Sequence, residues 1–175
     1  MTVSWSKIAN AAQYVIERSS NRGAFVVIAT VAGNVTSVND AATAATVYFY
    51  RVHAIDAGRN AGATSMPAVA TTIVFNADPS GIIRASHFTD LRSAIDVFRA
   101  SAGLGAFQYT HTVAPGRPVR AIDVTEMRTA VQQARSTYGL PSYAFTDSPI
   151  SIGVTTIKAA HLRELQQAIG AAAWP

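Results

Sequence analysis

The feature that most restricts this chain is a repeat in its second half. Residues 84–92 (RASHFTDLR) align with 120–128 (RAIDVTEMR) and again with 158–166 (KAAHLRELQ). Ala85 and Ala121 are 36 residues apart, and Ala121 and Ala159 are 38 apart. Gly103-Leu104 and Gly139-Leu140 recur at the offset of 36. Self-similarity at such a period marks stacked units, each of which hides its apolar face only against a neighbour. In the first unit Phe88, Leu91, Ile95 and Phe98 fall on one helical face. In the second it is Val124, Met127, Val131 and Ala134, and in the third Leu162, Leu165 and Ile169. The pattern predicts three helices over residues 82–175, in units near 82–118, 119–156 and 157–175, packed as a small bundle or solenoid-like array. Gly103 and Gly139 are placed to end their helices in the left-handed conformation. The loops over 106–118 and 142–156 carry Phe107, Tyr109, Tyr143 and Phe145, expected to plug gaps between helices.

Before residue 77 the period is different. Tyr14–Arg18, Phe25–Ala29 and Val47–Ile55 alternate β-branched or aromatic residues with polar ones. Gly, Asn and Asp separate them, which reads as an all-β sandwich over 1–76. Asn76–Gly81 is a cluster of turn formers, with 77–81 read as a linker. Hydrophobic residues make up 49% and charged residues 14%, enough apolar mass for two cores. No apolar run approaches the roughly 20 residues of a membrane span. Residues 1–7 have no basic-then-apolar layout, so no export signal is read there. Cysteine is absent, which excludes thiol catalysis, disulfides and cysteine metal sites. The net charge of +4 is a mild basic excess, read as solubility.

Thr46–Ala54, followed by Asp56-Ala57-Gly58, resembles strand F of a fibronectin type III domain. Val3–Ser6 resembles strand B with its core Trp5. Tyr14–Arg18 resembles strand C, Thr36–Asp40 strand E, and Ala63–Ile73 strand G. The resemblance covers nearly all of residues 1–75. It implies a tyrosine corner at Tyr48, whose hydroxyl bonds upstream backbone. A two-residue period turns Tyr48, Tyr50, Val52 and Ala54 toward a core with Trp5 and Ile16, and Phe49, Arg51 and His53 the other way. Arg22-Gly23-Ala24 lacks the aspartate of an adhesion tripeptide. The family begins with a strand A, and here the chain starts at strand B. That leaves Thr2, Val3, Ser4, Trp5 and Ser6 as an open sheet edge. A fragment of a longer protein is the first-ranked account, ahead of a tolerated loss or a strand added by β-augmentation. The helical repeats resemble those of predicted secreted bacterial proteins that carry fibronectin type III domains, which implies an extracellular location.

His87, Asp123 and His161 occupy one position in the three units. Such a set suggests a metal or an acid–base pair. Helix capping is the preferred reading. Ile83, Val119 and Ile157 can staple onto Phe88, Val124 and Leu162, which puts the polar residue at the third helical position. A neutral imidazole is expected there, because a helix N-terminus repels a cation. Arg92, Arg99, Arg128 and Arg135 also repeat, and stacking would align them into a basic row. That row could hold anions such as acidic glycan, lipopolysaccharide or nucleic acid. Solvated flanks paired with Asp90, Asp96 and Glu126 are the preferred reading. No nucleophile motif, phosphate loop or dinucleotide fingerprint occurs, and no cofactor or metal is expected.

The sequence therefore points to a non-enzymatic extracellular structural or interaction module with protein partners or self-association, and without nucleic acid. A filament subunit is the first alternative, from the open edge and the apolar residues 171–175. A carbohydrate-binding accessory is the second, needing exposed aromatics among Phe107, Tyr109, Tyr138 and Tyr143.

Overall fold

A computed structural model describes residues 1–20, 23–73, 75, 82–151 and 153–170. The expected linker at 77–81 and the apolar residues 171–175 lie outside the described residues, as does Arg22. The chain forms two compact units, Met1–Thr72 and Ile73–Pro175.

The first unit holds two antiparallel sheets. Strand β1 (Thr2–Ser4) pairs with β4 (Ser37–Asn39). The larger sheet has the order β3-β2-β5-β6, from Val26–Ala32, Gln13–Ser20, Val47–Ile55 and Ala68–Thr71. The two longest strands, β2 and β5, sit at its centre, where β-branched and aromatic side chains pack on a pleated surface. Tyr14, Ile16, Tyr48 and Tyr50 are buried, as period two requires. Val52, Ala54 and Trp5 are only half-buried. The Trp5 and Tyr14 rings meet edge-on at 5.5 Å. The Tyr48 hydroxyl accepts the Thr43 amide at 2.9 Å, the upstream backbone bond expected of it.

Two expectations are corrected here. Phe49 is 6% exposed, so β5 is covered on both faces over Val47–Tyr50. The outer face is not simply solvated: Arg51 pairs with Glu17 at 2.8 Å and lies 4.1 Å over the Phe25 ring. The strand expected over Ala63–Ile73 is confined to Ala68–Thr71, directly after Pro67, which has no amide to donate. Ser65 bridges the gap: its amide donates to the Val52 carbonyl, and its hydroxyl accepts the Val52 amide. The Thr2–Ser6 segment is paired along one side. Thr2, Val3 and Ser4 pair with Asn39, Val38 and Ser37, and the Trp5 amide donates to Thr36. Only one edge of β1 lacks a strand among the described residues.

Asp40, just after β4, ties the small sheet to the large one. Arg18 of β2 donates to both its oxygens at 2.8–2.9 Å, and the Tyr50 hydroxyl of β5 donates at 2.7 Å. Burial raises the Asp40 carboxyl, but the bonds from Tyr50 and Arg18 outweigh it and leave the group below its ordinary value. A depressed carboxylate contributes stability that is present above its unfolded pKa of about 3.9 and is lost as pH falls through its folded value. Acid below about pH 4 is therefore expected to destabilise the first unit. Asp40→Asn is expected to cost about 2 kcal/mol at neutral pH and to flatten that acid limb. Urea melts across pH, followed by Trp5 fluorescence, check both.

The second unit holds α1 (Ala85–Ser101), α2 (Ala121–Thr137) and α3 (Ala159–Ala168). Each helix touches the other two, which makes a closed bundle rather than an open row. The expected stripes form its core: Phe88, Leu91, Ile95, Phe98, Val124, Met127, Val131, Ala134, Leu162, Leu165 and Ile169 are all fully buried. Gly103 and Gly139 stand at φ 78° and 69°. The Leu104 amide reaches back to Arg99, and the Leu140 amide to Arg135, each at 2.9 Å. This closes a six-to-one loop that satisfies the last carbonyls.

Candidate functional site

The repeated polar residues sit at the helix starts and are buried. His87 Nδ1 accepts the Arg84 amide at 3.0 Å, Asp123 Oδ2 accepts the Arg120 amide at 2.8 Å, and His161 Nδ1 accepts the Lys158 amide at 3.3 Å. Each thus satisfies an orphan backbone donor at its own helix. An imidazole that accepts at Nδ1 carries its proton on Nε2. His161 Nε2 accordingly donates to Asp147 Oδ2 at 2.9 Å. Lys158 Nζ meets the same oxygen at 2.7 Å. Hydrogen bonds from Lys158 and His161 hold the Asp147 carboxyl below its ordinary value. Among the described residues, no three His, Asp, Glu or Cys side chains gather closely enough to hold a metal ion.

The four arginines do not form an exposed row. Their heads bond the following loop and tie each helix to the next. Arg99 donates to the Gly105 carbonyl at 3.0 Å, to the Ala130 carbonyl of α2 at 3.1 Å and to Gln133 at 2.7 Å. Arg135, one repeat later, donates to Pro141 at 2.8–3.0 Å and to the Ala168 carbonyl of α3 at 2.6 Å. Arg92 donates to the His111 carbonyl at 2.7 Å and to Asp123 at 3.0 Å. Arg128 donates to the Thr146 carbonyl at 2.9 Å and to Glu164 at 3.3 Å. Burial lowers the Arg128 and Arg135 pKa values, yet guanidinium stays charged at neutral pH. The expected partners are elsewhere: Asp96 accepts the Phe107 amide, and Glu126 the Thr110 amide.

The loop aromatics complete the same device. Arg99 lies over Phe107 and Arg92 over Tyr109; one repeat on, Arg135 lies over Tyr143 and Arg128 over Phe145. The rings within each loop meet at 5.0 and 4.9 Å. Tyr138 packs 5.4 Å from Phe98. All five rings are half-buried, so none is the open platform a sugar would stack on.

Hollows also open among the described residues. A groove of about 830 Å³ runs along α2, lined by Thr125, Thr129, Gln132, Gln133, Ser136 and Thr137, with Leu104, Phe145 and Pro149. The hydroxyls of Thr125, Thr129 and Thr137 donate to helix carbonyls at 3.0 Å, which leaves their oxygens as acceptors. Gln133 gives its carbonyl oxygen to Arg99 and keeps its amide donors. A second hollow, about 420 Å³, lies between the first loop and the start of α2, and a third, about 620 Å³, shares His111 and Arg120 with it. Sequence reasoning missed His111 and Arg117, which carry no periodic signal of their own, and saw Arg120 only as a repeated residue matching Arg84. Comparison with models of known protein families, with curated proteins and with solved structures finds no match.

A lysine has one head atom and cannot reproduce the three-way fork of a buried arginine. Arg99→Lys is expected to lower the stability of the helical unit by about 2 kcal/mol, because carbonyls of Gly105 and Ala130 lose donors. Arg99→Ala is expected to cost more, through lost packing on Phe107. Urea midpoints followed by helical circular dichroism rank the two.

Proposed function

We propose that the chain is a non-enzymatic extracellular module that spaces or presents partners. Its first unit is read as a fibronectin type III-like sandwich without strand A. The strand order β3-β2-β5-β6 beside β1-β4, with the Tyr48 bond, supports that likeness. One observation carries the functional reading: the polar side chains that recur with the repeat cap helices or bind the following helix and its loop. Chemistry on a substrate needs polar groups held ready for it, whereas these groups are occupied in holding shape. Sedimentation velocity with electron microscopy tests the spacer against a filament built through β1. A monomer at high concentration is expected. Ordered fibres would replace the spacer by the filament.

The α2 groove favours a second reading, a carbohydrate-binding accessory. Its α2 wall is made mostly of hydroxyl and amide side chains at helical spacing, and its one charged member, Arg128, already donates to the Thr146 carbonyl and Glu164, which suits neutral sugar hydroxyls. Binding of neutral oligosaccharides on a glycan array is expected. Thr129→Arg, at an exposed position, should weaken it at least about tenfold, since a buried mismatch of this kind is worth over 1 kcal/mol. An array without hits would end this reading.

A further inference from the structure

We infer that the hollow beside the start of α2 binds a small organic carboxylate with a short apolar arm. The inference comes from a difference between two repeats and is independent of the α2 groove. In the later repeat a carboxylate sits beside the helix start. Asp147 accepts from Lys158 Nζ at 2.7 Å and from His161 Nε2 at 2.9 Å. One repeat earlier the same position is His111, 36 residues before Asp147, and Arg120 stands where Lys158 does. There the acid stands on the helix instead: Asp123 takes the place of His161, and its carboxylate is bonded to Arg92 and to the Arg120 amide. His111 Nδ1 is buried without a hydrogen-bond partner. Neither the Arg120 nor the Arg117 guanidinium has a partner among the described residues.

The hollow of about 420 Å³ opens at this gap, lined by Thr112, Arg117, Arg120 and His111. Asp123 also borders it, but its two oxygens are already taken by Arg92 at 3.0 Å and the Arg120 amide at 2.8 Å. Two uncompensated guanidinium groups therefore set the sign of the site. Guanidinium matches a carboxylate in a planar two-bond fork. The adjoining hollow of about 620 Å³ shares His111 and Arg120 and is lined by Val119, Ile122 and Ile157. Those side chains offer nothing to an inorganic ion and suit a short hydrocarbon arm.

Hexanoate, acetate and inorganic phosphate can be titrated into the labelled full-length chain, with the His111 ring and Arg120 Nε–H signals followed by NMR. Hexanoate is expected to shift both signals saturably, at least about tenfold more tightly than acetate or phosphate, since each buried methylene contributes about 0.8 kcal/mol. His111→Asp adds a carboxylate beside Arg117, Arg120 and Asp123 and should repel an anion, so that hexanoate binding falls at least about tenfold while the remaining spectrum stays native. Arg120→Ala, at an exposed position, should weaken binding by a similar factor. Absence of saturable shifts in the unaltered chain would overturn the proposal. So would undiminished binding by either variant, or phosphate binding as tightly as hexanoate.

Discussion

The helical unit depends on buried and half-buried guanidinium groups that reach main-chain carbonyls of the following helix. Arg99 and Arg135 hold Ala130 and Ala168 in this way. Taking a cation out of water is unfavourable unless its donors are matched, and here carbonyls, a side-chain amide and an aromatic face match them. The apolar stripes alone would bring three helices together with freedom to slide by a turn. A five-donor fork aimed at a particular carbonyl fixes which turn faces which. Loops of a dozen residues without secondary structure become definite for the same reason, because their carbonyls and rings are pinned to helix heads.

The first unit solves a related problem with a carboxylate. Asp40 is gripped by Arg18 and Tyr50 from the opposite sheet, and that grip registers two layers whose apolar contacts do not specify position by themselves. Both units therefore use a few fully bonded charged groups to select one packing among several that burial would allow.

Much of this was legible from the residues. Helix faces could be read because burial of Phe88, Leu91, Ile95 and Phe98 imposes a 3.6-residue period on the sequence. The caps at His87, Asp123 and His161 and the left-handed Gly103 and Gly139 were legible because termini have local rules. The role of Arg92, Arg99, Arg128 and Arg135 was not. Periodicity reports which side of a helix a residue leaves from, and a long side chain can then run to solvent or fold under its own helix. The recurrence of aromatics at the same offset, Phe107 with Tyr143 and Tyr109 with Phe145, was the available signal. Phe49 was misread because alternation describes one sheet and says nothing of what loops and long neighbours lay across its far side. The hollow at His111 was invisible, since it arises from a residue that breaks the repeat, and alignment rewards sameness.

The arginine bonds have a direction. Donors belong to the earlier helix and acceptors to the later one, and Gln166 stands in α3 where Arg92 and Arg128 stand before it. The three helices are thus unequal members of a hierarchy. Disorder starting in α1 leaves α2 acceptors without their donors, whereas fraying of α3 leaves the Arg128 and Arg135 guanidinium groups without their α3 acceptors. A pull or a proteolytic nick would orphan acceptors at one end of the bundle and cations at the other.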